Sequence, residues 1–248
     1  MKRIITTILI LAGYFAILQT ARAEDVRALQ SSGFVNDYAG ILPSDSKNKI
    51  EGVLREIEKK TTAEIAVVTV KTTQPFEIEQ YAVELFKRWG IGKKGKDNGI
   101  LVLVAAGDRK MRIEVGYGLE GVVTDLKSKL MIQDLMTPAF KKGDYGLGIT
   151  AAVVMIANLI SAEYNIKLDL DSSVASLPLQ SGKTSPAGSL FTLLFFLLIF
   201  GFRFGTLFFV MGPRGGGYWS GGSSGSFGGG FGGFGGGFSG GGGASGSW

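Results

Sequence analysis

Apolar positions along the chain fall into runs of two different periods. Ile50, Val53, Leu54 and Ile57 recur at i, i+3, i+4 and i+7, one face of a helix that opens at Pro43-Ser44 with Ser44 or Asp45 near its cap. Residues 63–70 (AEIAVVTV) are nearly continuous and β-branched, as a strand covered on both faces should be. Residues 77–89 follow Pro75 and set Ile78, Tyr81, Ala82, Leu85, Phe86 and Trp89 on one side, and Gly90 ends that helix. Residues 100–106 read as a second buried strand. Gly107-Asp108-Arg109-Lys110 turns the chain into a third, 111–115, antiparallel to the second. Residues 126–136 and the long apolar stretch 145–164 read as helices. The latter stops being apolar at Glu163, too soon for a membrane span, and packs on the sheet. A crossover helix between the first two strands makes them parallel and right-handed in connection. The expected fold is therefore α/β: a sandwich with a central mixed β-sheet flanked by helices, over residues 24–170.

Two further apolar runs lie outside that pattern. Lys2 and Arg3 precede an apolar stretch, 4–18, and Ala21-Arg22-Ala23 follows it, so residues 1–23 read as a signal peptide cleaved before Glu24. Residues 190–211 are rich in Leu and Phe and make about 33 Å of helix against about 30 Å of hydrocarbon. A transmembrane helix is expected over 189–211, with Arg203 snorkelling towards an interface. Residues 171–188 read as a linker. An exported domain followed by one stop-transfer helix leaves residues 212–248 in the cytoplasm, with Arg214 on the inner side. That segment holds 20 of the 39 glycines, which is too many for a helix or a packed core, and reads as a disordered Gly-rich tail.

Composition removes several kinds of chemistry. The chain has no His and no Cys, so neither a Cys/His zinc site nor a His-assisted nucleophile can form. The formal charge of +5 does not point to nucleic acid. Its surplus consists of Lys2, Arg3, Arg22, Arg203 and Arg214, and residues 24–188 carry 21 charges of each sign. Metal or acid–base chemistry must rest on carboxylates, amides, hydroxyls, Lys and the backbone.

Two loops fall at the same end of the expected sheet. Residues 91–98 (IGKKGKDN) lead into the second strand and 116–125 (GYGLEGVVTD) leave the third, which is antiparallel to it. Asp97, Asn98, Tyr117, Glu120 and Asp125 therefore come close together. Their oxygens suit a hard divalent cation, Ca²⁺ or Mg²⁺, and Gly116, Gly118 and Gly121 permit a tight backbone path. The same residues also fit blander roles: Asp97-Asn98-Gly99 is a turn signal, and Thr124 or Asp125 an ordinary helix cap. Lys93, Lys94 and Lys96 are either solvated or face a phosphate. Asp37 starts at the far sheet end from Asp97, and the pattern does not decide whether it reaches the loops.

FVNDYAGIL, AEIAVVTV, RWGIGKKGKDNGILVLVA, DRKMRIEVGYGLEGVVTD and PAFKKGDYGLGI resemble the TPM domain in order and interval over roughly residues 33–160. The resemblance implies the same α/β sandwich and a divalent-cation site at Asp37, Asp97, Asn98 and Asp125. Plant thylakoid-lumen relatives are linked to photosystem II repair and have been assigned acid phosphatase activity. Two functions follow as expectations. One is a membrane-tethered exported module that binds a cation and assists an envelope membrane protein. The other is a metal-assisted phosphomonoesterase with Asp37 as base or nucleophile and the three lysines facing phosphate.

Overall fold

The computed structural model describes Val26, residues 28–169 and residues 234–248. The expected signal peptide (1–23), linker (171–188) and membrane helix (189–211), with Arg203, lie outside these residues. In chain order the described elements are β1 (Val35–Asp37), α1 (Ser44–Thr61), β2 (Glu64–Val70), α2 (Ile78–Trp89), β3 (Gly99–Ala105) and β4 (Lys110–Gly116). There follow a 3-10 turn (Tyr117–Leu119), α3 (Asp125–Leu130), a π-helical stretch (Met131–Met136), α4 (Thr137–Lys141), α5 (Tyr145–Glu163) and β5 (Ser239–Ser247).

The strands form one mixed sheet in the order β1-β2-β3-β4-β5. β1, β2 and β3 are parallel, with Val35 beside Val67 and Val67 beside Val102. β4 runs antiparallel to β3, with Val102 beside Ile113. The period of two in a strand splits the side chains between two cores. Ile65, Val67, Ile100, Val102, Val104, Met111, Ile113 and Val115 join α1, α4 and α5 on one face. Ala66, Val68, Val70, Leu101, Leu103 and Ala105 join α2 on the other. The stripe of α1 is buried as its spacing requires, with Ile50, Val53, Leu54 and Ile57 all at 3% exposure or less. Burial of each such side chain contributes about 1.5–3 kcal/mol.

The helix ends are less predictable. The cap of α1 is Pro43, without a side-chain hydrogen bond, and Asp45 instead accepts from Lys49 at 2.7 Å. Thr124 caps α3 and accepts from the Lys127 N–H. α5 is apolar on nearly every side because it lies between α1 and the Met131–Met136 stretch and is buried by both. Among the described residues it is the one helix long and apolar enough to cross a membrane, and two-thirds of that stretch is buried. It is a core helix, as its early stop at Glu163 implies.

Two strands differ from expectation. Residues 34–42 contain β1, whose three residues are too few to show a period. The larger correction concerns the Gly-rich tail. Residues 239–247 are ordered as β5, antiparallel to β4, with Lys110 opposite Ser247, Ile113 opposite Ala244 and Glu114 opposite Gly243. Residues 234–248 belong to the same compact unit as the domain. Composition points to disorder because glycine has no side chain to bury. Here the order comes from backbone ladder bonds and from side chains supplied by the receiving surface.

Candidate functional site

The loops 91–98 and 116–125 meet at one end of the sheet. The hairpin β3–β4 brings the residues before Gly99 beside those after Val115. The Gly118 N–H donates to the Asp97 carbonyl at 3.0 Å. A Cβ on Gly118 or Gly116 would overlap the carbonyl oxygens of Lys96 and Asp97 respectively, so those two glycines set how closely the loops approach. Asp97 itself has a left-handed backbone, φ 49°.

The carboxylates that suggested a cation site meet tail peptides. Asp97 Oδ1 accepts from the Phe238 N–H at 3.0 Å, and Asp125 Oδ1 accepts from the Gly243 N–H at 2.7 Å. Tyr117 lies over Gly240 and Glu120 lies against Gly242. Asn98 is 2% exposed and is occupied within its own loop, accepting from the Lys93 N–H and donating to Thr62. Among the described residues, no three acidic side chains gather in one place.

Asp37 stands elsewhere. It is level with Thr69 in the β1–β2 register, whereas Asp97 lies beyond the Glu64–Gly99 level. Five strand residues separate these levels, about 16 Å. Its oxygens accept from the Ile41 and Leu42 N–H groups and from the Thr69 hydroxyl, so it closes the turn that leads to α1. The structure does not bring it to the loops.

Lys93 is not free for phosphate. Its ammonium pairs with Glu64 and Glu58. Burial works against its charge, but the two carboxylates outweigh burial and hold its pKa above the ordinary 10.5. Lys96 donates to the Thr62 hydroxyl at 3.0 Å, and Lys94 is exposed.

Three residues missed in the sequence organise this end of the molecule. Glu64, 1% exposed, accepts from Lys93 and from the N–H groups of Gly92 and Gly235, both at 2.8 Å, so one buried carboxylate holds the 91–98 loop and the start of the tail. Arg112 and Glu114 are buried at 6% and 0% on the α2 side of β4. Arg112 Nε donates to Glu114 at 2.6 Å, its other nitrogens reach Ser245 and the Gly241 carbonyl, and Ser239 donates to Glu114 at 2.7 Å. Burial pushes the Glu114 carboxyl above its ordinary 4.5, against the opposite pull of Ser239 and Arg112. The available signal was the pair of charges at alternate positions in MRIEV, which breaks the apolar run on one face only.

A family model for the TPM domain matches residues 35–159, just over half of the chain. The chain belongs to the TPM domain family. The solution structure of the N-terminal domain of a protein from P. gingivalis is similar at 30% identity. It covers 58% of this chain and 92% of its own, with a TM-score of 0.51. The BA42 protein of the psychrophilic bacterium Bizionia argentinensis is similar at 22% identity, covering 52% and 88%, with a TM-score of 0.45. The comparison with curated proteins gave no match. In this TPM domain the matched span ends at residue 159, so β5 lies outside it.

Proposed function

We propose that this TPM-domain protein is a membrane-tethered binding module on the exported side, which holds Ca²⁺ or Mg²⁺ at the 91–98 and 116–125 loops and assists an envelope membrane protein without turnover. One observation carries this reading: loops 91–98 and 116–125, rich in hard oxygen donors, meet at one sheet end, and because Asp97 and Asp125 hold tail N–H groups five residues apart, a cation would take one of these carboxylates with neighbouring loop carbonyls rather than both. With the tail in place a tail N–H bonds one oxygen of each carboxylate. Cation and tail are alternative occupants of the same oxygens.

The pairing of β5 with β4 supports a second element of the proposal. Because β5 pairs with β4, the domain and residues 234–248 would lie on one side of the membrane, and residues 189–211 would then tether the chain without a single crossing.

The phosphomonoesterase reading has less support. Its base, Asp37, lies at the other sheet end, and Lys93 is committed to Glu64 and Glu58. No nucleophile–base pair stands beside Asp97 or Asp125 among the described residues.

The test is calorimetric titration of the detergent-solubilised chain, with and without residues 234–248, using Ca²⁺ and Mg²⁺. Saturable binding that disappears in an Asp97→Asn, Asp125→Asn double variant supports the cation site. Binding unchanged in that variant, or absent from both chains, overturns it. Hydrolysis of an aryl phosphate that needs Asp97 and Asp125 would favour the hydrolase instead.

A further inference from the structure

The glycines of the tail are not interchangeable with other small residues. A Cβ on Gly237 would stand 2.6 Å from the Ile91 carbonyl oxygen. Gly243, at φ +110°, has no room beside the Ile113 carbonyl, and Gly246 has none beside the Ile132 side chain. In the first two cases the obstacle is backbone, which cannot move aside cheaply. Between these positions the surface asks for hydroxyls. Ser239 donates to Glu114, and Ser245 accepts from Arg112 at 3.0 Å. At the end it asks for an aromatic ring. Trp248 meets Phe140 edge-on at 4.8 Å and Tyr145 at 5.9 Å, and its backbone N–H donates to the Arg109 carbonyl.

We propose that the β4 edge, with the Arg112–Glu114 pair and the Phe140–Tyr145 pocket, is a sequence-reading receptor for an extended Gly/Ser strand followed by tryptophan, and that its occupant is this chain's own residues 239–248. The ladder bonds supply affinity that any extended peptide could share. Specificity comes from three sources: the absence of Cβ at fixed positions, two serines on buried charges, and the Trp248 ring in an aromatic pocket. Such an edge rejects ordinary strands twice over. Their side chains collide with its backbone, and without the serines its two inward charges lose partners on desolvation. The Gly-rich composition is thus a recognition code as well as a source of flexibility. This proposal does not depend on cation binding.

A chain without cysteine permits a direct test. Lys110 and Ser247 are register partners, and antiparallel partners have Cα atoms about 4.5–5.5 Å apart, within the reach of a disulfide. A full-length Lys110→Cys, Ser247→Cys variant in membranes should form an intramolecular disulfide on mild oxidation. Adding Gly243→Ala should cut its yield at least about tenfold and leave the thiol introduced in the tail open to alkylation, because no strand can then fit past Ile113. Ser245→Ala, which adds no bulk, should weaken the cross-link through Arg112. Gly52→Ala, where a methyl meets nothing, should leave it unchanged. Equal cross-linking with and without Gly243→Ala overturns the reading of sequence. Disulfide-linked dimers without the intramolecular species overturn the assignment to the chain's own tail.

Discussion

β3 and β5 are strands of one sheet, two places apart, with opposite sequence logic. β3 is GILVLVA, and every residue of it is buried. β5 is SGGGGASGS, and none of it is fully buried. β3 is specified by what its side chains fill: Ile100, Val102 and Val104 enter one core, Leu101 and Leu103 the other. β5 is specified by what its residues lack, since the β4 backbone and its flanking loops occupy the space a Cβ would need. A hydrophobic scan detects the first kind of strand and reports the second as disorder. β3 contributes to both apolar cores, whereas β5 lies outside the family model's matched span and adds only Ala244, followed by Trp248, at the edge of one of them.

Substitutions should separate the two strands sharply. The largest effect is expected where they meet. Glu114→Ala leaves Arg112 buried without its carboxylate, and loss of one partner of a buried pair costs about 3–5 kcal/mol. Denaturant unfolding of the full chain should show that loss together with release of the tail. If the midpoint stays put, the pair is not a buried one in solution. Leu103→Ala in β3 should cost about 2–5 kcal/mol of global stability, read the same way, while cross-linking between positions 110 and 247 shows the tail still docked in the folded fraction. Trp248→Ala should cost about 1–3 kcal/mol of docking, the worth of two aromatic contacts, with the unfolding midpoint of the core little changed. A parallel fall of core stability would mean that β5 is as integral as β3.

Removing residues 234–248 frees Asp97 and Asp125 from two peptide N–H groups. Hydrogen bonds to a charged group are worth about 1.5–3 kcal/mol each, so cation affinity should rise at least about tenfold on truncation. Equal affinity for both chains would show that tail and cation do not share oxygens. The smallest effect concerns pH. The pKa of Glu114 is raised in the folded state, so folding favours its protonated form. Its contribution is full below the ordinary 4.5 and is lost as pH rises through the higher folded value. Glu114→Gln should flatten the fall of stability over that window, and a slope unchanged from the parent would assign it to another group. A membrane-impermeant maleimide added to intact cells should label a Ser247→Cys, Gly243→Ala chain at its tail if the tail shares the exported compartment. Labelling only after lysis would place the tail across the membrane from an exported domain.

The sequence by itself determined the inner part of this protein. Period-3.6 stripes announce α1 and α2, and continuous or alternating apolar runs announce β2, β3, β4 and α5, because burial of those side chains is what forms the elements. Hairpin logic also brought loops 91–98 and 116–125 together, since antiparallel neighbours must share an end. What each carboxylate does was decided only by the tertiary structure. Asp37 closes a local turn because its strand ends at the far side of the sheet. Glu64 and the Arg112–Glu114 pair matter because chain segments more than a hundred residues away in sequence reach them. The ordering of the tail was decided there too: a glycine strand carries no pattern of its own, and its shape is complementary to a surface that exists only after the rest has folded.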